Sequence, residues 1–62
     1  MSVKRRELVK YFEKHGYLLL REGANHSIYA KAQKIVPIKR HRQLDRITAN
    51  ELCKQAGLEP IF

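Results

Sequence analysis

The sequence predicts an α+β fold of order αβββα, a three-stranded antiparallel sheet with two helices on one face. Three observations carry that expectation. A segment near each end repeats apolar residues at helical spacing, three short apolar runs lie between them, and Gly16, Gly23 and Gly57 punctuate the chain. A meander with both helices on one side buries two apolar stripes against a single sheet face and leaves the other face open. The 62 residues, 44% hydrophobic and 31% charged, have globular composition and form one domain, 1–62. A chain this short buries only about 60% of its unfolded surface, so any ligand sits on an open face or groove.

The first helix is expected from about Ser2 to His15, where Leu8 and Phe12 stand four apart and Val9 and Tyr11 widen the stripe. Lys14 and His15 suit the negative end of its dipole, and Gly16 is the left-handed stop. Tyr17 to Glu22 reads as a first strand and His26 to Lys31 as a second, joined by Gly23-Ala24-Asn25, in which Gly23 takes positive φ. After the weak turn Ala32-Gln33-Lys34 comes a third strand, Ile35 to Lys39. Pro37 cannot donate to a ladder and places it at a sheet edge. Lys39 to Gln43 is a basic connector. Thr48-Ala49-Asn50-Glu51 is a Thr-x-x-Glu capping box that opens the last helix. That helix turns Leu52, Cys53 and Ala56 inward and stops at Gly57, with Leu58 making the closing apolar contact and Phe62 packing the tail.

Thirteen Lys and Arg against six Asp and Glu give a net charge of +7, a field that calls for a polyanionic partner. Lys39, Arg40, Arg42 and Arg46 place four cations within eight residues, where like charges repel unless an anion is near. Lys4, Arg5, Arg6 and Lys10 are read as background field. A single cysteine, Cys53, excludes an internal disulfide and fits a reducing cytoplasm. The longest aliphatic runs are far shorter than the roughly 20 residues of a membrane helix, so no membrane partner is expected. His15, His26, His41 and Cys53 are spaced by 11, 15 and 12 residues, without the close pairs of a zinc site, so neither a metal nor any other cofactor is expected.

Several segments together resemble the HicA family, the toxin half of a bacterial toxin–antitoxin pair. They are His15-Gly16-Tyr17, the run Arg21-Glu22-Gly23-Ala24-Asn25-His26-Ser27-Ile28-Tyr29, Val36-Pro37 with His41 beyond it, and Lys54-Gln55-Ala56-Gly57-Leu58. Many members carry Gly immediately before a Ser-His pair and a second His after it. Here Ala24-Asn25 precede His26, and Ser27 follows it. The resemblance implies a fold like that of double-stranded-RNA-binding domains and a metal-independent endoribonuclease that cleaves mRNA. It also implies His26 as the catalytic residue and a HicB-type antitoxin as partner, the chain being a monomer alone and a hetero-oligomer with that antitoxin. The monomer is expected because no long apolar stripe is foreseen on the surface.

Such chemistry needs a proton acceptor titrating near neutrality and cations for the phosphorane. A histidine side chain, with an unperturbed pKa of about 6.5, suits the first task. Lys39, Arg40, Arg42 and Arg46 suit the second as RNA-binding residues. Asn25, Ser27, Tyr29 and His41 are candidate supports. Asn25 and Ser27 hydrogen-bond the imidazole or phosphate, with turn formation as the plainer alternative for Asn25. Tyr29 stacks on a base or belongs to the core, and His41 positions RNA, acts as a second acid or is solvated. The competing readings are a non-catalytic double-stranded-RNA-binding module and a small ribosome-associated protein. The start of the last helix lacks the lysine cluster that duplex binding uses.

Overall fold

In the computed structural model, which describes residues 2–62, the chain runs β1 (Ser2–Lys4), α1 (Arg5–Lys14), β2 (Leu18–Glu22), β3 (His26–Lys31), β4 (Lys34–Lys39), β5 (Gln43–Asp45), α2 (Arg46–Gln55). The expected three-stranded antiparallel sheet is present in the order β2-β3-β4, with the Pro37 strand at one edge. Both helices feed one core. Leu8 and Phe12 of α1 and Ala49 and Cys53 of α2 cluster with Tyr29, Val36 and Ile38, the inward residues of β3 and β4. The other sheet face is open. No helix is long and apolar enough to cross a membrane.

Three departures from the expected layout matter. Residues 2–4 are not the first turn of α1. They form a strand that pairs antiparallel with β5, Val3 opposite Leu44, and both of those side chains enter the core. The basic connector is correspondingly shorter: Lys39 ends β4 and Gln43 begins β5. Nor does a capping box at Thr48 open α2. The helix starts at Arg46, and Asp45 caps it, its carboxylate accepting from the Thr48 N–H at 2.7 Å and the Thr48 hydroxyl at 2.9 Å. Glu51 instead lies 3.7 Å from Lys54 on the helix surface. Gly23, finally, is not among the residues with positive φ. Its N–H donates to the His26 carbonyl at 2.7 Å, and a Cβ there would meet that oxygen at 3.2 Å. The left-handed residue of the other hairpin is Ala32, at φ 54°.

The two helix stops follow expectation, with Gly16 and Gly57 at positive φ and the Leu58 N–H donating to the Cys53 carbonyl at 2.8 Å. Tyr17 is fully buried just before β2, its hydroxyl donating to the Ala56 carbonyl at 2.7 Å. The tail is clipped down by Asn50, which exchanges two hydrogen bonds with the Phe62 backbone. At the far edge of the sheet β2 packs little. Leu18, Leu19 and Leu20 are all exposed, as is Ile35 of β4. An apolar surface therefore does remain, contrary to the ground on which a monomer was expected.

Candidate functional site

The turn between β2 and β3 is held from both sides. Its Asn25 carbonyl accepts from the Arg40 N–H at 3.1 Å, and the Arg40 guanidinium donates to the Gly23 carbonyl at 3.1 Å while lying 3.8 Å from Glu22. Directly after this turn β3 begins with His26, paired with Lys39 at the end of β4. Strand alternation then sorts the side chains. Ser27 and Tyr29 point into the core, so His26 and its partner Lys39 share the open face, and both are exposed.

Beneath His26 lies a polar knot. Ser27 is 0% exposed, yet its hydroxyl is satisfied twice, donating to Glu22 Oε1 and accepting from the Arg5 guanidinium at 2.6 Å. Arg5 also donates from Nε to the Lys39 carbonyl at 2.9 Å, and its backbone N–H donates to the Arg42 carbonyl at 2.9 Å. One residue thus ties the start of α1 to the end of β4 and to the interior of β3. The Ser27 hydrogen bond and the Arg40 charge hold the Glu22 carboxyl below its ordinary pKa.

This geometry sorts the sequence-predicted residues. His26, Lys39 and Arg40 come together at one end of the sheet, with Asn25 bonded through its backbone to Arg40. Ser27 supports from below and has no exposed surface to offer a ligand. Tyr29 is core, at 5% exposure, and burial raises its pKa, so the ring is not free to stack on a base. His41 is exposed in the loop between β4 and β5. Arg46 does not join the cluster. It opens α2 and lines a separate shallow depression with Asp45, Ile47 and Thr48. Among the described residues, no group of three His, Cys, Asp or Glu side chains is placed to hold a metal ion.

Two participants were not foreseen. Glu22 stands in the segment already singled out, but its role depends on the cross-strand pair Glu22–Ser27. Arg5 reads in the sequence as background charge. The structure also gathers Lys4, Arg5 and Arg6 beside Arg40 and Arg42 around one open groove of about 690 Å³, with Gln43 at its rim. Nothing local in the sequence brings residues 4–6 to residues 40–43. The β1–β5 ribbon does so.

A family model described as the HicA toxin of bacterial toxin–antitoxin matches residues 5–58. No curated protein and no solved structure matches the chain.

Proposed function

The chain belongs to the HicA toxin family of bacterial toxin–antitoxin systems, and from that premise we propose that it is an endoribonuclease that cuts mRNA with His26 and is silenced by a HicB-type antitoxin. The observation that supports this most is the position of His26. It is exposed at the first residue of a strand, on the sheet face turned from the core, opposite Lys39 and next to the turn that Arg40 closes. A neutral imidazole there takes the proton of a ribose 2′-hydroxyl while the 2′-oxygen bonds to phosphorus. The bond from phosphorus to the 5′-oxygen breaks, and that oxygen leaves with a proton from the imidazolium or from water. Lys39 and Arg40 meet the charge on the non-bridging oxygens. The polar knot under Ser27 keeps the strand start rigid, so that the imidazole is held in place before substrate arrives.

The same face favours a covering antitoxin. Leu18 and Ile35 both sit opposite Ala30 on the open side and are 72% and 57% exposed. A protein laid over that apolar surface also covers His26, and a net charge of +7 attracts an acidic one.

The test is cleavage of single-stranded RNA by purified protein in excess EDTA, wild type beside His26→Ala. We expect the variant to lose cleavage by at least about 100-fold, the scale of a lost general base, with an unchanged circular dichroism spectrum. Equal cleavage by the folded variant overturns the assignment of His26. RNA binding without cleavage by either protein makes the chain a non-catalytic binder.

A further inference from the structure

The groove between the start of α1 and the β4–β5 connection has an unusual lining. Five of its six residues, Lys4, Arg5, Arg6, Arg40 and Arg42, are cations, and the sixth is Gln43. It contains no carboxylate and no aromatic ring. Two of the cations are spent on the fold, Arg5 on Lys39 and Ser27, Arg40 on Gly23 and Glu22. Lys4, Arg6 and Arg42 are left without an ion-pair partner among the described residues. Folding alone does not account for their company. Lys4, Arg5 and Arg6 stand at the positive end of the α1 dipole, where cations oppose the helix, and the β1–β5 ribbon adds Arg42 to them. A fold that gathers mutually repelling charges at an unfavourable place is completed by an anion.

The open shape argues for a polymer lying across the groove rather than an enclosed metabolite. The absence of aromatic side chains argues against base stacking and for contact with the backbone. Arg40, one of the lining residues, closes the turn that precedes His26. We propose that this groove holds the phosphodiester backbone of single-stranded RNA to one side of the bond at His26, with Lys4, Arg6 and Arg42 on the flanking phosphates, Arg5 as a fixed wall and Arg40 anchored where the groove meets the scissile phosphate. The proposal rests on the RNA-binding half of the function proposed above but not on its catalytic half. It predicts a contribution to affinity that is independent of RNA sequence.

The experiment measures binding of a short single-stranded 2′-O-methyl RNA by fluorescence anisotropy across a range of salt concentrations. That probe has no 2′-hydroxyl and cannot be cut, so the result does not depend on whether His26 is catalytic. The triple variant Lys4→Gln, Arg6→Gln, Arg42→Gln is expected to bind about tenfold or more weakly. Its slope of log affinity against log salt should shrink by about 2, near 0.7 per lost contact, and equally for two unrelated RNA sequences. The control Lys10→Gln, Lys14→Gln, Lys54→Gln removes the same charge elsewhere and should change the slope far less. A triple variant that binds like wild type overturns the proposal. So does a control that loses as much, which makes the effect one of overall field. So does a triple variant that loses binding to polyglutamate while keeping RNA, which makes the groove a surface for an acidic protein. Should the triple variant lose its helical signal, Arg6→Gln and Arg42→Gln singly carry the test, each with a slope change of about 0.7.

Discussion

The two helices begin in the same way and are built from opposite chemistry. Each follows directly on a strand of the two-stranded ribbon, α1 on β1 and α2 on β5, and the antiparallel pairing sets the two starts at opposite ends of that ribbon. At α2 the last strand residue is Asp45, a carboxylate that accepts two hydrogen bonds from Thr48. At α1 the equivalent residue is Lys4, whose extended backbone would suit a cap but whose side chain makes no cap bond. Arg5 and Arg6 follow it, with Glu7 as the only acidic residue of that turn. One start serves stability. The other gives up a cap to carry charge, and the groove it lines is where the proposed RNA backbone would meet that charge.

The first way to break this contrast is inside the cationic start itself. Arg5 bridges a buried hydroxyl and a strand carbonyl, whereas Arg6 makes no ion pair among the described residues. Arg5→Ala should cost about 2 kcal/mol in urea unfolding, because hydrogen bonds from a charged donor are lost and the Ser27 hydroxyl is left with Glu22 alone. Arg6→Ala should change stability by less than about 0.5 kcal/mol. Equal costs would mean that all the cations of α1 serve the fold, and the groove would need no ligand to explain it.

The next effect belongs to the other start. Asp45→Ala removes the α2 cap and should lower the melting temperature by about 4–8 °C near neutral pH. The two Thr48 hydrogen bonds hold the Asp45 pKa below its usual 3.8. The sign follows from that direction. The carboxylate stabilises the fold fully above pH 3.8, and its contribution fades as pH falls through the lower folded value. Melting curves of wild type and variant should therefore converge in acid and separate as pH rises through that window. A gap that stays constant into acid would show that the variant damages packing rather than a charged cap.

How much of this was legible depends on distance along the chain. Leu8 and Phe12, the glycine stops at 16 and 57 and the three meander strands rest on neighbours within a few residues, so periodicity and turn chemistry reach them. The ribbon does not, since Val3 and Leu44 pair across 41 residues and each three-residue strand has one apolar side chain to betray it. Without β5 the cap was hidden too, since Asp45 is that strand's last residue. Thr48-x-x-Glu51 fits the capping-box spacing, but Asp45-x-x-Thr48 fits cap geometry as well, and only the end of β5 decides between them. At the candidate site, His26 was legible as a candidate only through family resemblance, and its exposure was not, because strand parity leaves open which face of β3 the helices cover. Only half of the groove was legible: Arg40 and Arg42 stand in a cluster that the sequence assigns to RNA, whereas Lys4, Arg5 and Arg6 look like ordinary solvated residues until the fold joins the two segments.

The smallest expected effect is also the most direct probe of the trade between the two starts. Lys4→Asp gives α1 the acid that α2 already has, at an N-cap whose φ of −69° and ψ of 130° already suit one. The new carboxylate faces the positive end of the helix and can accept from the first free N–H groups, so stability should rise by a few tenths of a kcal/mol or more. Affinity for the 2′-O-methyl RNA should fall at the same time, because a phosphate-facing cation has become an anion. Opposite movements in one variant separate the two roles, since a merely damaged protein loses both stability and binding. A more stable protein that binds RNA as before would show that Lys4 lies outside the RNA path. A less stable one would show that α1 does not need the cap that α2 uses, and the likeness between the two starts would end at their backbones.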